Sequence, residues 1–273
     1  MKKANWTVLF ILAALLFLPA MTNAQQYEPT VGQEGKDVIW VPTPEDLVQA
    51  MLDSAKVTSS DYVMDLGSGD GRIVIAAAKR GAHAVGIEYN PDMVELSKRN
   101  AEKAGVSDKA TFLNADLFAT DLSKATVITM YLLPQLNLKL RPTILDLKPG
   151  TRVVSHSFTM GDWSPDQTIE KEGRTAYLWI VPAKVQGTWT WQSNPGDAAL
   201  NLTQTFQIIS GTLKLDGKDF PIKDAGLDGN HIRFSANEQK YSGRVTGNTI
   251  EGTVKAGDRE QKWSATLRNT SKP

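Results

Sequence analysis

Three glycines alternate with small or acidic residues in the stretch "VMDLGSGDGR", residues 63–72. Gly67, Gly69 and Gly71 follow an apolar run directly and lead into a helical pattern. Glycine permits a tight turn and lets a ligand approach the backbone closely, because it has no Cβ. The stretch therefore predicts a cofactor-binding loop. The alternative is a plain strand-to-helix turn, since glycine triplets also occur in turns that bind nothing.

Two acidic residues stand where neighbouring strands are expected to end. Glu88 ends the strand after the glycines, where a carboxylate can accept hydrogen bonds from ribose hydroxyls. Asp116 follows the third strand, in "FLNADLF", where it can meet an adenine amino group. Open α/β sheets bind ligands at the carboxyl ends of their strands. The spacing therefore predicts a cofactor that contains a nucleoside.

Asp65 and Asp70 flank the glycines and narrow the choice of cofactor. A carboxylate beside a pyrophosphate would repel it, and no Lys-Ser/Thr pair follows to complete a phosphate-binding loop. Asp65 instead suits a positively charged amino-acid group. These residues predict S-adenosyl-L-methionine as the cofactor, and not a nicotinamide dinucleotide.

The elements that would position these residues alternate between strands and helices. Such alternation predicts a parallel sheet covered on both faces, which is an α/β fold. The expected strands are residues 61–66, 84–88, 110–114, 126–131 and 151–157, and the expected helices are 71–80, 91–104 and one from Pro134. Residues 167–172 and 175–181 predict an antiparallel hairpin at the edge of this sheet.

After residue 182 the apolar residues alternate with period two, as in Leu200 and Leu202 or Ile232 and Phe234. Turn sequences such as Asp216-Gly217 and Gly247-Asn248 separate these runs. We expect about eight short strands and no helix, forming a small closed or nearly closed antiparallel all-β barrel.

Residues 1–24 have the layout of a secretory signal peptide. Lys2 and Lys3 precede an apolar run from Val8 to Ala20, and Thr22-Asn23-Ala24 supplies small residues before a predicted cut at Gln25. The run is shorter than the about 20 apolar residues of a membrane span. The sequence predicts an exported protein, periplasmic or extracellular, with no stable membrane span after cleavage. The alternative is an uncleaved anchor.

Composition excludes several classes of chemistry. The chain has 30 Lys+Arg against 30 Asp+Glu, so no overall field attracts nucleic acid, and none is expected as a partner. It has no cysteine, which excludes thiolate catalysis, disulfides and cysteine-based zinc sites. His83 and His231 lack partners at metal-ligand spacing, so no metal is assigned.

Residues 37–182 resemble the class I S-adenosylmethionine-dependent methyltransferases in the glycine loop, the two acids and the closing antiparallel hairpin. The resemblance implies a Rossmann-like seven-stranded methyltransferase sheet. More narrowly, "VPTPEDLVQAML" before "DLGSGDGRIVIAAAKRGAHAVGIEYNP" looks like the lysine methyltransferases of the ATP synthase c-subunit and their bacterial relatives. The division that follows is a signal peptide (1–24), a linker (25–36), a methyltransferase domain (37–182) and a β-barrel domain (183–273).

The resemblance also assigns roles to single residues. Thr43, between Pro42 and Pro44, would lie beside the methionine end of the cofactor, and the helix from Pro44 would close over the site. The remaining cofactor-binding residues that match the family are Asp65, Gly67, Ser68, Gly69, Asp70 and Arg72 of the loop, Glu88 at the ribose, and Asn114 and Asp116 at the adenine.

The residues of methyl transfer itself are less distinct. An Asn/Asp-Pro-Pro-aromatic motif, which would indicate transfer to the amino group of a base or amide, is absent, and "TMYLLPQLN" stands in its place. Tyr131 in this stretch is expected to line an apolar channel or to accept a hydrogen bond from an acceptor amine. His156 is a candidate base at the end of the fifth strand, and Asp162 and Trp163 are candidates for the acceptor pocket. The alternatives are that Tyr131 is a core residue and that His156 makes only a structural hydrogen bond.

Gly187-Thr188-Trp189 resembles the first-strand Gly-x-Trp of lipocalin-like barrels, with Arg268 expected over the Trp ring. For the whole chain we predict methyl transfer to an amine such as a protein lysine, with a protein or small amine as acceptor. The alternative is an exported, non-catalytic protein that binds S-adenosylmethionine or, in its barrel, another ligand. The oligomeric state stays open.

Overall fold

The computed structural model describes residues 27–193 and 196–268. The signal peptide predicted for residues 1–24 lies outside the described residues. Within them, no helix combines the length and the apolar character that a bilayer span requires. Two sheets follow one another along the chain, and the segment between their last and first strands runs from residue 181 to 186.

The first sheet is mixed and has seven strands. Its order is β3-β2-β1-β4-β5-β7-β6, in which β1 to β5 are parallel and β7 runs antiparallel to both β5 and β6. The predicted α/β sheet with an antiparallel edge hairpin is confirmed. Its strands are β1 Tyr62–Leu66, β2 His83–Glu88, β3 Ala110–Asn114, β4 Val127–Met130, β5 Arg152–His156, β6 Gln167–Lys171 and β7 Arg174–Ile180.

Helices cover both faces of this sheet. They are α1 Glu45–Ser54, α2 Arg72–Lys79, α3 Pro91–Lys103 and α4 Pro134–Leu145. Asn90 caps α3 by accepting from the Asp92 backbone N–H at 2.9 Å, and Pro91 occupies the first turn, where its missing N–H costs nothing. Because β1 to β5 are parallel, their carboxyl ends lie along the same edge of the sheet.

The first helix, α1, does not close over the site, so that prediction is wrong. Its apolar face is fully buried and packs into the core beside α2, β6 and β7, where Leu47, Val48, Met51 and Leu52 have no exposed surface. Burial of this apolar stripe fixes the helix on the sheet. The segment before it, residues 33–43, lies over the carboxyl edge of the sheet instead. We call this segment the strap.

The second sheet is antiparallel and nearly closed. Its order is β11-β10-β9-β8-β16-β15-β14-β13-β12, and the Leu227 N–H donates to the Gln207 carbonyl at 3.2 Å where β12 returns beside β10. The described residues contain nine strands, one more than expected, because the chain after Asp216-Gly217 forms the short strand β11. The strands are β8 Gly187–Ser193, β9 Gly196–Thr205, β10 Ile208–Leu215, β11 Lys218–Pro221, β12 Lys223–Asp228, β13 His231–Ala236, β14 Gln239–Thr246, β15 Thr249–Ala256 and β16 Arg259–Leu267.

Glycines without room for a side chain bend this barrel-like sheet. A Cβ at Gly211 would overlap the carbonyl oxygen of Asn201, and one at Gly252 would overlap that of Ser242. Such positions let a strand coil tightly enough for a small barrel to close. The strands are therefore shaped by glycine at particular bends.

Aromatic side chains fill the interior of the barrel-like sheet. Phe234 stacks on Tyr241 with ring centroids 4.7 Å apart, and Trp263 meets Tyr241 edge-on at 5.5 Å. Trp189 is fully buried and donates its Nε1–H to the Val185 carbonyl at 2.8 Å. The expected contact of Arg268 with Trp189 is wrong: cation–π pairs among the described residues involve Lys36, Lys139 and Arg141.

Candidate active site

A cavity of about 670 Å³ opens at the carboxyl edge of the mixed sheet. Its volume lies within the range of ligand pockets, about 300–1,000 Å³. One side is the glycine loop between β1 and α2, and the strap covers it from above. Next to the glycine loop lies a group that we call the apolar wall, which consists of Tyr131, Leu132, Leu133, Leu136 and Phe158.

The glycine loop takes a backbone conformation that side chains rarely adopt. Gly67, Gly69 and Gly71 have φ values of 77°, 54° and 82°. A Cβ at Gly69 would lie 2.8 Å from Nε1 of Trp40, a residue of the strap. The loop therefore needs glycine both for its turn and for the close approach of the strap. Ser68 lies on the cavity wall as well, and its buried hydroxyl has no hydrogen-bond partner within the described chain.

Glu88 lies at the end of β2 and lines the cavity, as predicted from its spacing. Its Oε2 accepts from the Gly69 backbone N–H at 3.0 Å, and its Oε1 accepts from the Asn90 N–H at 2.9 Å. These two bonds fix the carboxylate against the glycine loop and leave lone pairs on both oxygens. Glu88 can therefore accept hydrogen bonds from a ligand's hydroxyls without rearranging.

Asp65 is a buried carboxyl group at the end of β1. It is 2% exposed, and its Oδ1 accepts a hydrogen bond of 2.7 Å from the Thr129 hydroxyl. Burial raises the pKa of Asp65 to about 7; the Thr129 bond opposes this shift, and the charges of Glu88 and Asp70 add to it. A cation placed in the cavity would favour the ionised form.

Asp116 lies on the cavity wall, whereas Asn114 does not. Asp116 accepts from the Lys36 ammonium at 2.8 Å, and this bond lowers the pKa of the Asp116 carboxyl. Asn114 is not among the lining residues; its Nδ2 donates to the Tyr89 carbonyl at 2.6 Å, and its adenine contact stays a prediction. Asp116 therefore lines the cavity, whereas the Asn114 side chain bonds the backbone after β2.

Asp70 and Arg72 pair with each other and hold the strap. The Arg72 Nη2 lies 2.6 Å from Oδ2 of Asp70, and its Nη1 donates to the Thr43 carbonyl at 2.9 Å. Thr43 is 4% exposed and lines the cavity, as predicted. Arg72 thus joins the end of the strap to the start of α2, and both residues of the pair line the cavity.

His156 lies behind the residues that line the cavity, and its role as a catalytic base stays a prediction. It is 4% exposed, with its Nδ1 3.0 Å from Oγ1 of Thr43. Its ring packs against that of Tyr131, with centroids 3.8 Å apart, and Tyr131 does line the cavity. Burial, with a smaller effect of Arg174, lowers the pKa of His156 to about 4. His156 is therefore a neutral support behind Tyr131.

Asp162 and Trp163 also lie away from the cavity, so their assignment to an acceptor pocket is wrong. Asp162 pairs with Arg141 of α4. Trp163 is fully buried between the two sheets and stacks on Phe206, with ring centroids 5.9 Å apart. A sequence places both residues after β5 but does not reveal which side of the strand end they face.

Several residues that line the cavity were not predicted from the sequence, among them Trp40, Lys36, Tyr89 and Phe158. Lys36 also lies over the Tyr89 ring at 4.4 Å from its centroid. The available signal was a tryptophan and a lysine in the short segment before "VPTP", outside any periodic pattern.

The residues fit S-adenosylmethionine. Gly67 and Gly69 expose their backbone to the cavity, and Glu88 and Asp116 line it near the ends of successive strands. Asp65 offers a buried carboxylate to a cationic group. Among the described residues no cluster of three metal-binding side chains occurs. Fold and cavity together define a class I S-adenosylmethionine-dependent methyltransferase.

Comparisons with known proteins agree. The family model described as the ANTKMT methyltransferase domain matches residues 65–167. A protein-lysine N-methyltransferase from Saccharolobus islandicus is 45% identical over 151 residues, which are 53% of this chain and 94% of that protein. The Mus musculus lysine N-methyltransferase of the ATP synthase c-subunit is 35% identical over 50% of this chain, and the match spans 58% of the mouse protein.

A solved structure is similar over the same share of the chain. It is described as an RNA methyltransferase from Salinibacter ruber in complex with S-adenosyl-L-homocysteine, with 52% identity and a TM-score of 0.52 over 53% of this chain and 96% of that one. The chain belongs to this family of S-adenosylmethionine-dependent methyltransferases. The predicted cofactor and enzyme class are thereby confirmed.

Proposed function

We propose that this methyltransferase modifies the ε-amino group of lysine in a protein. The observation that carries the proposal is the charge of the cavity. Six acidic side chains line it against two basic ones, and both basic ones, Lys36 and Arg72, are paired with Asp116 and Asp70. A negative cavity attracts a cationic acceptor and a cationic cofactor alike. The names of the relatives from Saccharolobus islandicus and Mus musculus support the same acceptor.

The residues already described would hold the cofactor. Glu88 would accept hydrogen bonds from the ribose, Asp116 would bind the adenine, and Asp65 would pair with the amino-acid group. S-adenosylmethionine, when bound, supplies a methyl group that its sulfonium already activates for transfer. The chain's own task is then alignment, because holding two reactants in line removes most of the entropic barrier.

The apolar wall prepares the acceptor. A lysine amine attacks only when it is neutral, and burial among apolar groups disfavours the ammonium form. Leu133, Leu136 and Phe158 supply that environment, and the Tyr131 hydroxyl offers a hydrogen bond to the entering amine. The proton leaves to solvent before the amine is enclosed, so no base in the cavity is required, which agrees with the position of His156 behind Tyr131.

An RNA acceptor is the second candidate, because of the description of the Salinibacter ruber structure. The acidic lining opposes it, since phosphates are bound by uncompensated Lys and Arg side chains. The test is a transfer assay with deuteromethyl S-adenosylmethionine, in which lysine-containing proteins and peptides compete with total RNA. We expect the label in methyl-lysine after hydrolysis, and none with Gly69→Val. Label in nucleosides would establish the RNA acceptor, and label in neither would contradict both.

We also propose that the protein acts outside the cytoplasm. Lys2 and Lys3, the apolar run from Val8 to Ala20 and the small residues 22–24 support export. Cell fractionation and the mass of the mature protein test it. A chain that begins at Gln25 in the soluble exported fraction is the expected result. An intact N-terminus in the membrane fraction would favour the anchor, and an intact chain in the cytosol would contradict export.

A further inference from the structure

The turn between β9 and β10 packs against the segment that follows the apolar wall. This turn consists of Phe206 and Gln207, and the segment comprises residues 160–166. The Gln207 Oε1 accepts from the Trp163 Nε1–H at 2.9 Å, and its Nε2 donates to the Ser164 carbonyl at 2.7 Å. One side chain of the barrel-like sheet thus bonds two points of the segment.

Phe206 reinforces the same contact. Its ring stacks on Trp163, and the Arg141 guanidinium lies 5.4 Å from the centroid of the same ring. Phe206 has a φ of 54°, which a non-glycine residue adopts only when its surroundings impose it. Gln204 supplies part of that support, because its Nε2 donates to the Phe206 carbonyl at 2.7 Å. The turn is therefore held in a defined, strained shape.

Residues 160–166 are connected in turn to the cavity. Met160 pairs with Trp163 in an isolated β-bridge, and Arg141 donates to the Met160 carbonyl at 2.7 Å. Asn137 of α4 is fully buried, and its Nδ2 donates to the Phe158 carbonyl at 3.2 Å. Contacts therefore lead from Gln207 through Trp163 to Met160, and helix α4 bonds both the Met160 carbonyl, through Arg141, and the Phe158 carbonyl, through Asn137.

The family match stops before the barrel-like sheet. The family model ends at residue 167, and the Saccharolobus islandicus relative is 94% covered by an alignment to 53% of this chain. The part of the chain that matches the family is therefore the mixed sheet with its helices. The second sheet is an addition, and its contacts indicate its role.

We propose that the barrel-like sheet positions the acceptor side of the active site, with Phe206 and Gln207 as positioning residues that hold Phe158 through Trp163. The inference rests on the proposed lysine acceptor for its kinetic consequence only. None of the bonds on this path involves the glycine loop, so we expect cofactor binding to change little when the path is broken. The barrel-like sheet would thus influence the affinity for the acceptor although none of its residues lines the cavity.

The test compares full-length Gln207→Ala and Phe206→Ala with Ile208→Ala, an adjacent control whose side chain is 64% exposed. We expect the acceptor KM to rise about fivefold or more in the first two, equivalent to about 1 kcal/mol of lost positioning. The cofactor Kd stays within about twofold, since the glycine loop is unaffected. Phe206→Tyr, which keeps the stacked ring, restores the KM.

Hydrogen exchange of residues 157–165 tests the inference without an acceptor. We expect about tenfold faster exchange in Gln207→Ala than in the wild type or Ile208→Ala, because exchange reports local opening. Gln207→Glu keeps the volume of the side chain but removes the donor to the Ser164 carbonyl, and it replaces the alanine variants in this test if they do not fold. Folded variants with wild-type KM and wild-type exchange would overturn the inference. A wild type that methylates no lysine would refute the proposed function, while the exchange result would still decide this one.

Discussion

The two sides of the cavity are built in different ways. The cofactor side consists of the glycine loop and Glu88, which belong to consecutive elements and bond each other through backbone N–H groups. The acceptor side consists of side chains that depend on distant partners. Tyr131 rests on His156, which bonds Thr43 at a separation of 113 residues. The cofactor side is therefore a local structure, and the acceptor side is a product of tertiary packing.

This difference predicts that the acceptor can change among related proteins while the cofactor site stays the same. A local loop fixed by backbone geometry gives the same cradle wherever the strand-loop-helix unit occurs. A wall held by tertiary contacts changes when any supporting residue changes, so acceptor choice can alter while the cofactor site stays. The barrel-like sheet fits this division, because it bonds residues 163–164, which follow the apolar wall in the chain, and does not line the cavity itself.

The largest expected effect is at the centre of the local structure. Gly69→Val should weaken S-adenosylmethionine binding by up to about a hundredfold, because a β-branched residue at positive φ is strained by about 1–3 kcal/mol and its Cβ would also displace Trp40. Gly105→Val is the matched control, since Gly105 also has positive φ but nothing within 4 Å of its Cβ position. Calorimetric titration of both variants decides; equal affinities would contradict the cradle.

Protonation of Asp65 should weaken cofactor binding next most strongly. Its pKa of about 7 in the free protein means that a proton must leave before a cation binds beside it. Affinity should therefore fall about tenfold for each pH unit below 7. Asp65→Asn should bind weakly with a flat pH profile. A wild-type Kd that does not change between pH 6 and 8 would remove Asp65 from the site.

Glu88 and Asn114 offer a comparison within the nucleoside end. Glu88→Ala should weaken cofactor binding about tenfold, because it removes hydrogen bonds to a charged group worth about 1.5–3 kcal/mol. Asn114→Ala should change the Kd less than about threefold, because the Asn114 side chain does not line the cavity and water readily replaces an exposed amide at the Glu88 and Tyr89 carbonyls. A larger effect from Asn114 than from Glu88 would reverse the assignment of the two residues.

The smallest effect is expected behind the apolar wall. Thr43→Val keeps the volume of Thr43 and removes its bond to His156, so the methyl-transfer rate should fall about threefold to fivefold, as for one net hydrogen bond of about 1 kcal/mol. Thr43→Ser should restore the rate. Since His156 stays neutral above its pKa of about 4, the rate should show no histidine inflection between pH 6 and 8. An inflection that His156→Asn abolishes would restore His156 as a base.

The same division explains what sequence reasoning could foresee. The seven-stranded sheet, the glycine loop and Glu88 follow from periodicity and from spacing within neighbouring elements. The role of His156 does not, because its position behind Tyr131 depends on a contact with Thr43 that no local pattern encodes. Asn114 and Asp116 are only two residues apart, and the end of β3 decides which one faces the cavity. Trp40 could not be predicted because it approaches Gly69, 29 residues later in the chain, only in the folded structure.

The free edges of the barrel-like sheet have a consequence for solubility. β11 is four residues long and ends in Pro221, and β12 is interrupted by a register shift between Lys223 and Gly226. Short, charged, proline-containing or bulged edge strands pair poorly with strands of other molecules. A chain without cysteines cannot be protected by cross-links. Both terminal strands are therefore poor templates for another molecule, and the approach of β12 to β10 covers part of one edge, so strand shape takes the place of disulfides in protecting this half of the molecule from aggregation.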